Sequence, residues 1–333
     1  MLPVRNLARL WARLILTGLM VAGCSMQKLA VRQTAGVLLA GSIAVESEAD
    51  PAFAEVALPA NLKMMETFLE VDPENEDLLL LLTKGYSSYA LLFIEDAMEV
   101  AQLADRLEEE EALGARGREL YLRARAFAYR LLDQPGFEGR TTGSLKSFEE
   151  ALAEIDKEQA GPLFWLAYAW GGYVNLGRHD PDVVADLPMV KAAMERVAAL
   201  DERYFFAGPH LALGVINASL PPMLGGDPAR AKAHFDKALG FTEGKFLLVQ
   251  YMAARHHAVQ TQDAARFRSL MGQVLDTPAD VRRGATLANA VAKRRARRWL
   301  DHIDLLFEDP GTPVAPASTD DEGEGIDDST SDF

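Results

Sequence analysis

Thiols are almost absent: 333 residues contain one cysteine, Cys24. A single thiol excludes an internal disulfide and any metal site built on cysteines. Positive charge is also scarce, with 34 Lys and Arg against 49 Asp and Glu. Such a surface repels nucleic acid, whose binding depends on neutralising phosphates, so no nucleic-acid partner is expected. Motifs that carry chemistry are missing too. The six histidines, at 179, 210, 234, 256, 257 and 302, form no His-Glu-x-x-His pair. His256 and His257 are neighbours, so on a helix they point about 100° apart and do not readily share a metal. No Gly-x-Ser-x-Gly elbow occurs. In "GFTEGKF", 240–246, three residues separate the glycines where a phosphate loop has four, and Phe replaces Ser or Thr. The run Glu108 to Glu111 reads as a solvated helix end. The expectation is a protein that is not an enzyme and holds no metal or cofactor.

What is present begins with a leader. Arg5, Arg9 and Arg13 precede the apolar run 14–22. At nine residues that run is too short to span a bilayer, which takes about 20, and a basic start with a short apolar run describes a secretory signal peptide. Val21-Ala22-Gly23-Cys24 resembles the lipobox of bacterial lipoproteins, cut before the cysteine. The plain alternative is an ordinary signal peptide followed by a chance cysteine. The lipobox resemblance implies that Cys24 becomes the mature N-terminus and carries a covalent lipid (diacylglycerol and a further acyl chain such as palmitate), since stable anchoring takes two or more chains. Ser25 stands where Asp would favour inner-membrane retention, which implies the outer membrane, facing the periplasm.

Residues 1–23 carry three arginines and no acid, so in the mature chain 31 basic residues face 49 acidic ones. Part of that excess lies in the stretch 309–333, with eight acids and no base. Such a tail cannot bury apolar surface and is expected to be disordered. The run 35–45 has only 11 residues and reads as a helix packed on the body or lying near the lipid; no other run approaches membrane length. Four parts follow: a signal peptide at 1–23, a lipidated segment at 24–49, a helical body at 50–307 and an acidic tail at 308–333.

The body reads as helix after helix, with strand-like alternation scarce, so the fold class is all-α. Asp72-Pro73, Asp227-Pro228 and Thr277-Pro278 read as capped helix starts with Pro at the first position. Four helices share a small residue with an aromatic three positions on: Thr83 with Tyr86, Ala124 with Phe127, Ala167 with Trp170, and Gly214, where Asn217 takes the aromatic place. Leu79, Leu120, Leu163 and His210 precede them by four. A second set lies between: Ala97-Ala101-Ala104, Ser144-Phe148-Ala151, Val190-Met194-Val197 and Ala231-Phe235-Ala238. A small residue against an aromatic lets two helices of a hairpin approach closely. This is the pattern of tetratricopeptide repeats, lengthened from about 34 residues to 41–47. Irregular tetratricopeptide-like helical hairpin repeats, four to five in number, are expected.

With a lipobox ahead of such helices, the chain resembles the T component of TRAP transporters, a tetratricopeptide-type periplasmic lipoprotein. "LEVDPENEDLLLLLTKGYSSYALLFIED", 69–96, and "PPMLGGDPARAKAHFDKALGFTEGKFLLVQYMAA", 221–254, carry the resemblance, which spans roughly 45–275. It implies an accessory role in uptake of small apolar or organic-acid ligands, association with the substrate-binding P component, a homotrimer and a channel through each subunit. The rival reading is a lipid-anchored scaffold whose repeats offer a concave surface for assembling envelope proteins.

Three surfaces are candidates for binding. "LFWLAYAWGGYVNL", 163–176, holds Phe164, Trp165, Tyr168, Trp170 and Tyr173. A helix has an apolar stripe about 100° wide, and these rings spread further, so at least one is expected to face a channel or partner. Gly225 and Gly226, in "PPMLGGDP", make either a simple turn or a loop at a channel mouth. Arg282, Arg283, Lys293, Arg294, Arg295, Arg297 and Arg298, beside Trp299, are expected to pair with acids of the same chain rather than with lipid headgroups.

Overall fold

Helix caps divide the chain more sharply than its prolines do. The computed structural model describes residues 26–132, 137–141, 143–220 and 225–310. Residues 1–23, Cys24 and nearly all of the acidic tail lie outside the described residues. Every regular element among the described residues is a helix, so the fold is all-α. The principal helices are α1 (Met26–Glu46), α2 (Pro51–Val71), α3 (Glu76–Leu103), α4 (Leu107–Leu132), α5 (Leu145–Glu154), α6 (Ala160–Leu176), α7 (Leu187–Leu200), α8 (Tyr204–Ser219), α9 (Pro228–Thr242), α10 (Leu248–Met252, continued by a π turn at Ala253–Ala258), α11 (Ala264–Asp276) and α12 (Thr286–Asp301).

Asp227-Pro228 does start a helix: the Asp227 carboxylate accepts from the amide of Arg230 at 2.9 Å. The other two expected starts fall elsewhere. Asp72 closes α2, and its carboxylate is held by Arg32 at 2.9 Å, so Asn75 caps α3 by accepting from Leu78. Thr277-Pro278 precedes only the single turn Ala279–Val281, and α12 begins at Thr286. Pro is compatible with a first turn but does not by itself supply the partner that a helix start needs.

The expected hairpin packing is seen at two of the four places. α6 packs on α7, and α8 packs on α9. Gly214 lets the Phe235 ring approach so closely that an added Cβ would lie 2.9 Å from it. Ala231, Phe235 and Ala238 are fully buried on the facing side. Phe148, from α5, meets Trp170 of α6 edge-on at 5.8 Å. The first pair is different. Thr83 with Tyr86 and Ala97 with Ala101 stand on one continuous helix, α3, interrupted only by a π turn at Ala90–Ile94. There is no hairpin at that place, because nothing between Tyr89 and Glu95 breaks helical backbone.

The α8–α9 pair also brings together two histidines that look unrelated in the sequence. His210 Nδ1 lies 2.9 Å from His234 Nδ1. Burial, helped by His210 and nearby Lys237, pushes His234 down to about 4, and burial lowers His210 as well. The folded state therefore favours neutral rings. Stability from this pair is present above the ordinary histidine range and is lost as pH falls from about 6.5 towards 4. Thermal melts of wild type and His234→Gln across pH 4–8 should converge at the acid end, with the wild type losing more on acidification.

Candidate functional site

α3 is apolar for most of its length, yet Glu95, Asp96 and Glu99 are buried on it. The π turn at Ala90–Ile94 adds a residue to one turn and so re-aims the side chains that follow; such bulges recur at functional sites. It also weakens the local ladder, and Arg295 Nη1 reaches the Leu91 carbonyl at 3.5 Å. The partners of the acids come from α12, nearly 200 positions later. Arg295 grips Glu99 with two nitrogens, at 3.1 and 2.6 Å. Arg298 binds Glu99 at 3.0 Å and Asp96 at 2.8 Å, and Arg294 reaches Asp96 at 2.6 Å. Tyr251 of α10 donates to Glu99 at 3.0 Å, and Tyr121 of α4 donates to Glu95 at 2.6 Å. Two-pronged Arg–carboxylate contact is the strong geometry for such a pair.

Burial raises Glu99, but Arg295 beside it more than offsets this and holds the carboxyl below the usual range. Glu95 goes the other way: burial raises it against the pull of Arg295 and Tyr121. Burial and neighbouring Arg255 push His256 down to about 3, so its ring is neutral. His257 turns away and its Nε2 meets the Pro228 carbonyl at 3.1 Å. As expected for the basic cluster, three of its arginines pair within the chain, with acids of α3; Lys293 instead caps the end of α11 through the carbonyls of Leu275 and Thr277, each at 2.5 Å. Arg282 lies over the Phe206 ring at 4.8 Å.

An aromatic wall adjoins this polar centre. Phe164 and Trp165 meet edge-on at 5.1 Å, and Tyr168 packs on both, at 5.8 and 5.4 Å. Trp165 donates to the Tyr204 hydroxyl at 3.1 Å and lies 4.7 Å from Phe205. Phe205, Phe206 and Ala207 take left-handed backbone, with φ of 42°, 57° and 57°. Each such residue costs ~1–2 kcal/mol, which the packing of the two rings offsets: Phe206 stacks on Phe246 at 4.6 Å. This kink lies inside α8 and ends at Gly208, where an added Cβ would lie 2.6 Å from Phe164. Lys84, paired with Glu46, lies over the Phe205 ring at 5.1 Å.

Tyr168 belongs to both halves. It keeps accessible surface, yet burial pushes its phenol up, with Glu95 and Arg295 acting on it from the polar centre. Phe164 and Trp165 are buried, because α6 is apolar nearly all round and most of it is packed in the core. Trp170 stands apart in the core, donating to Asp186 at 2.8 Å with Arg125 over its ring at 4.4 Å. Tyr173 is half-buried between two core clusters. Gly225 has φ of 91° and faces open space, and Gly226 is half-buried; neither touches the wall. The acids Glu95, Asp96 and Glu99 and the turn at Phe205–Phe206 escaped the sequence reading. Their signal was an acidic trio inside an apolar run, "FIEDAMEVA" at 93–101.

Among the described residues no group of three or more His, Cys, Asp or Glu could hold a metal ion. Arginines pair with Asp96 and Glu99, tyrosine hydroxyls donate to Glu95 and Glu99, and the wall is aromatic. No curated protein matches the chain. One family model does, that of the TRAP transporter T-component, over residues 47–307. That span takes in α2 to α12, with the polar centre and the aromatic wall both inside it, and the chain belongs to the TRAP transporter T-component family.

Proposed function

We propose that the protein is the lipid-anchored T component of a TRAP-type uptake system, held by Cys24 on the periplasmic side of the envelope, with the outer membrane as its membrane. It docks the periplasmic P component and passes a small apolar or organic-acid ligand along the wall formed by Phe164, Trp165, Tyr168, Phe205 and Phe206, working as a homotrimer and without catalysis. Family membership supports the accessory role. Tyr168 supports the path: like Phe205 and Phe206 it keeps accessible surface, and Glu95 and Arg295 of the polar centre act on it. The tetratricopeptide-like hairpins would hold the path open as a rigid frame.

Calorimetry with the mature chain begun at Ser25 and the P component encoded nearest its gene tests the docking. A stoichiometric complex is expected; two folded proteins that fail to associate, with and without ligand, would sink it. The path has its own readout. Tyr168→Phe should weaken binding of dansyl-undecanoate, a fluorescent fatty acid, by about tenfold, the worth of one hydrogen bond, with an unchanged melting curve.

A further inference from the structure

α1 is longer than its apolar run suggests. It extends through 21 residues, Met26–Glu46, and by length and composition alone is apolar enough to cross a membrane. Its attachment to the body says otherwise. Val31 and Ala35 are buried in the same cluster as Leu62 and Leu69 of α2, and Arg32 is tied to Asp72 at the end of α2. On the opposite side of α1, Met26, Leu29, Val37, Ala40 and Ala44 are exposed along one stripe that includes one polar residue, Gln33, and is uncovered among the described residues, with Val37 72 % exposed. α2 repeats this, with Phe53 64 % and Val56 80 % exposed and Ala60 and Met64 continuing the row. Isolated exposed apolar side chains are ordinary, but two consecutive helices with such stripes call for a partner.

Charge and chain position identify that partner. Between Met26 and Val45 there is no acid, and the bases are Lys28 and Arg32, in a chain with 49 acids against 34 bases. The helix begins two residues after Cys24, the residue with the lipid in the reading above, on which this inference rests. We propose that the outward stripes of the α1–α2 hairpin lie along the bilayer that holds Cys24, apolar side chains among the acyl chains and headgroups. The geometry is that of an interfacial helix, which adds to the hold of a lipid anchor. The contact also fixes how the body stands over the membrane, since α1 is bolted to α2 and, through Ser47 and Gly284, to the segment ahead of α12.

Acylation of Cys24 leaves the chain without a free thiol, so Val37→Cys, Val56→Cys and, as a control on α5, Glu149→Cys give single labelling sites. Lipidated full-length protein carrying a fluorophore at each site is placed on vesicles of phosphatidylethanolamine and phosphatidylglycerol with doxyl-labelled lipid. At least threefold stronger quenching at 37 and 56 than at 149 is expected. Equal quenching at all three sites overturns the inference. So does a spectral shift at 37 and 56 that appears without vesicles and grows with protein concentration, since a second copy would then cover the face. The mass of the N-terminal peptide reads lipidation separately. If Cys24 carries no lipid the anchor reading falls, and the same labels in a Cys24→Ser background, held on nickel-chelating lipid by an N-terminal histidine tag, decide the inference by the same criterion.

Discussion

Arg295→Ala should destabilise the protein by about 3–5 kcal/mol, the cost of leaving a buried carboxylate without its partner. Arg295 is 4 % exposed and holds Glu99 by two contacts, while Glu99 is itself buried among Tyr251 and Arg298. The melting temperature should fall by roughly 10 °C in a chain of this size. The informative partner is the double variant Arg295→Met with Glu99→Leu. Burying a matched ion pair costs desolvation that its attraction only partly offsets, so an apolar pair of similar volume should recover most of the loss. Urea unfolding of both variants checks this. A single variant within 1 kcal/mol of wild type would mean that water reaches Glu99 freely. Because Glu99 sits below its ordinary range in the folded protein, the contribution of this pair is present above that range and fades as pH falls through the lowered folded value.

Trp170→Ala is expected to cost a comparable 3–5 kcal/mol, for a different reason. The indole is fully buried, meets Phe148 edge-on, donates to Asp186 and carries Arg125 over its face. Truncation leaves a cavity between α5 and α6 and removes the indole donor from Asp186, which keeps Arg125 at 4.0 Å. Binding of dansyl-undecanoate, measured below the melting temperature, should stay within twofold of wild type, because Trp170 is fully buried and its polar and ring partners are Phe148, Asp186 and Arg125. Thermal melts and a fluorescence titration on the same preparation separate the two effects. Weak binding with a wild-type melt would place Trp170 on the ligand path instead. Comparison with Tyr168→Phe then sorts the aromatic residues of α6, two positions apart, into core and site.

The sequence was enough for properties that local chemistry fixes. The scarcity of strand patterns and the small residue opposite an aromatic on successive helices gave an all-α fold, since helix periodicity is written into neighbouring residues. The resemblance carried by 69–96 and 221–254 matches the family to which the chain belongs. Gly214 against Phe235 was legible for the same reason, because a hairpin keeps partners close in the chain. The error at α3 is as instructive. Small residues at 97 and 101 looked like a second helix, but spacing along a helix does not say whether the backbone turns back between two patches.

Tertiary structure alone decided the rest. Glu95, Asp96 and Glu99 read as polar residues on some helix, and Arg294, Arg295 and Arg298 as a basic surface; only α12 lying across α3 makes them a buried centre. Neither set tolerates burial without the other, because the penalty for removing a charge from water exceeds anything its own helix offers. His210 and His234 likewise meet only when α9 folds onto α8. The left-handed turn at Phe205–Ala207 has no sequence signature, since non-glycine residues adopt it only when contacts from Trp165 of α6 and from Phe246, between α9 and α10, outweigh its strain. Composition and periodicity are sums over near neighbours, whereas a buried charge pair and a strained turn are held by residues that only the folded chain brings within reach.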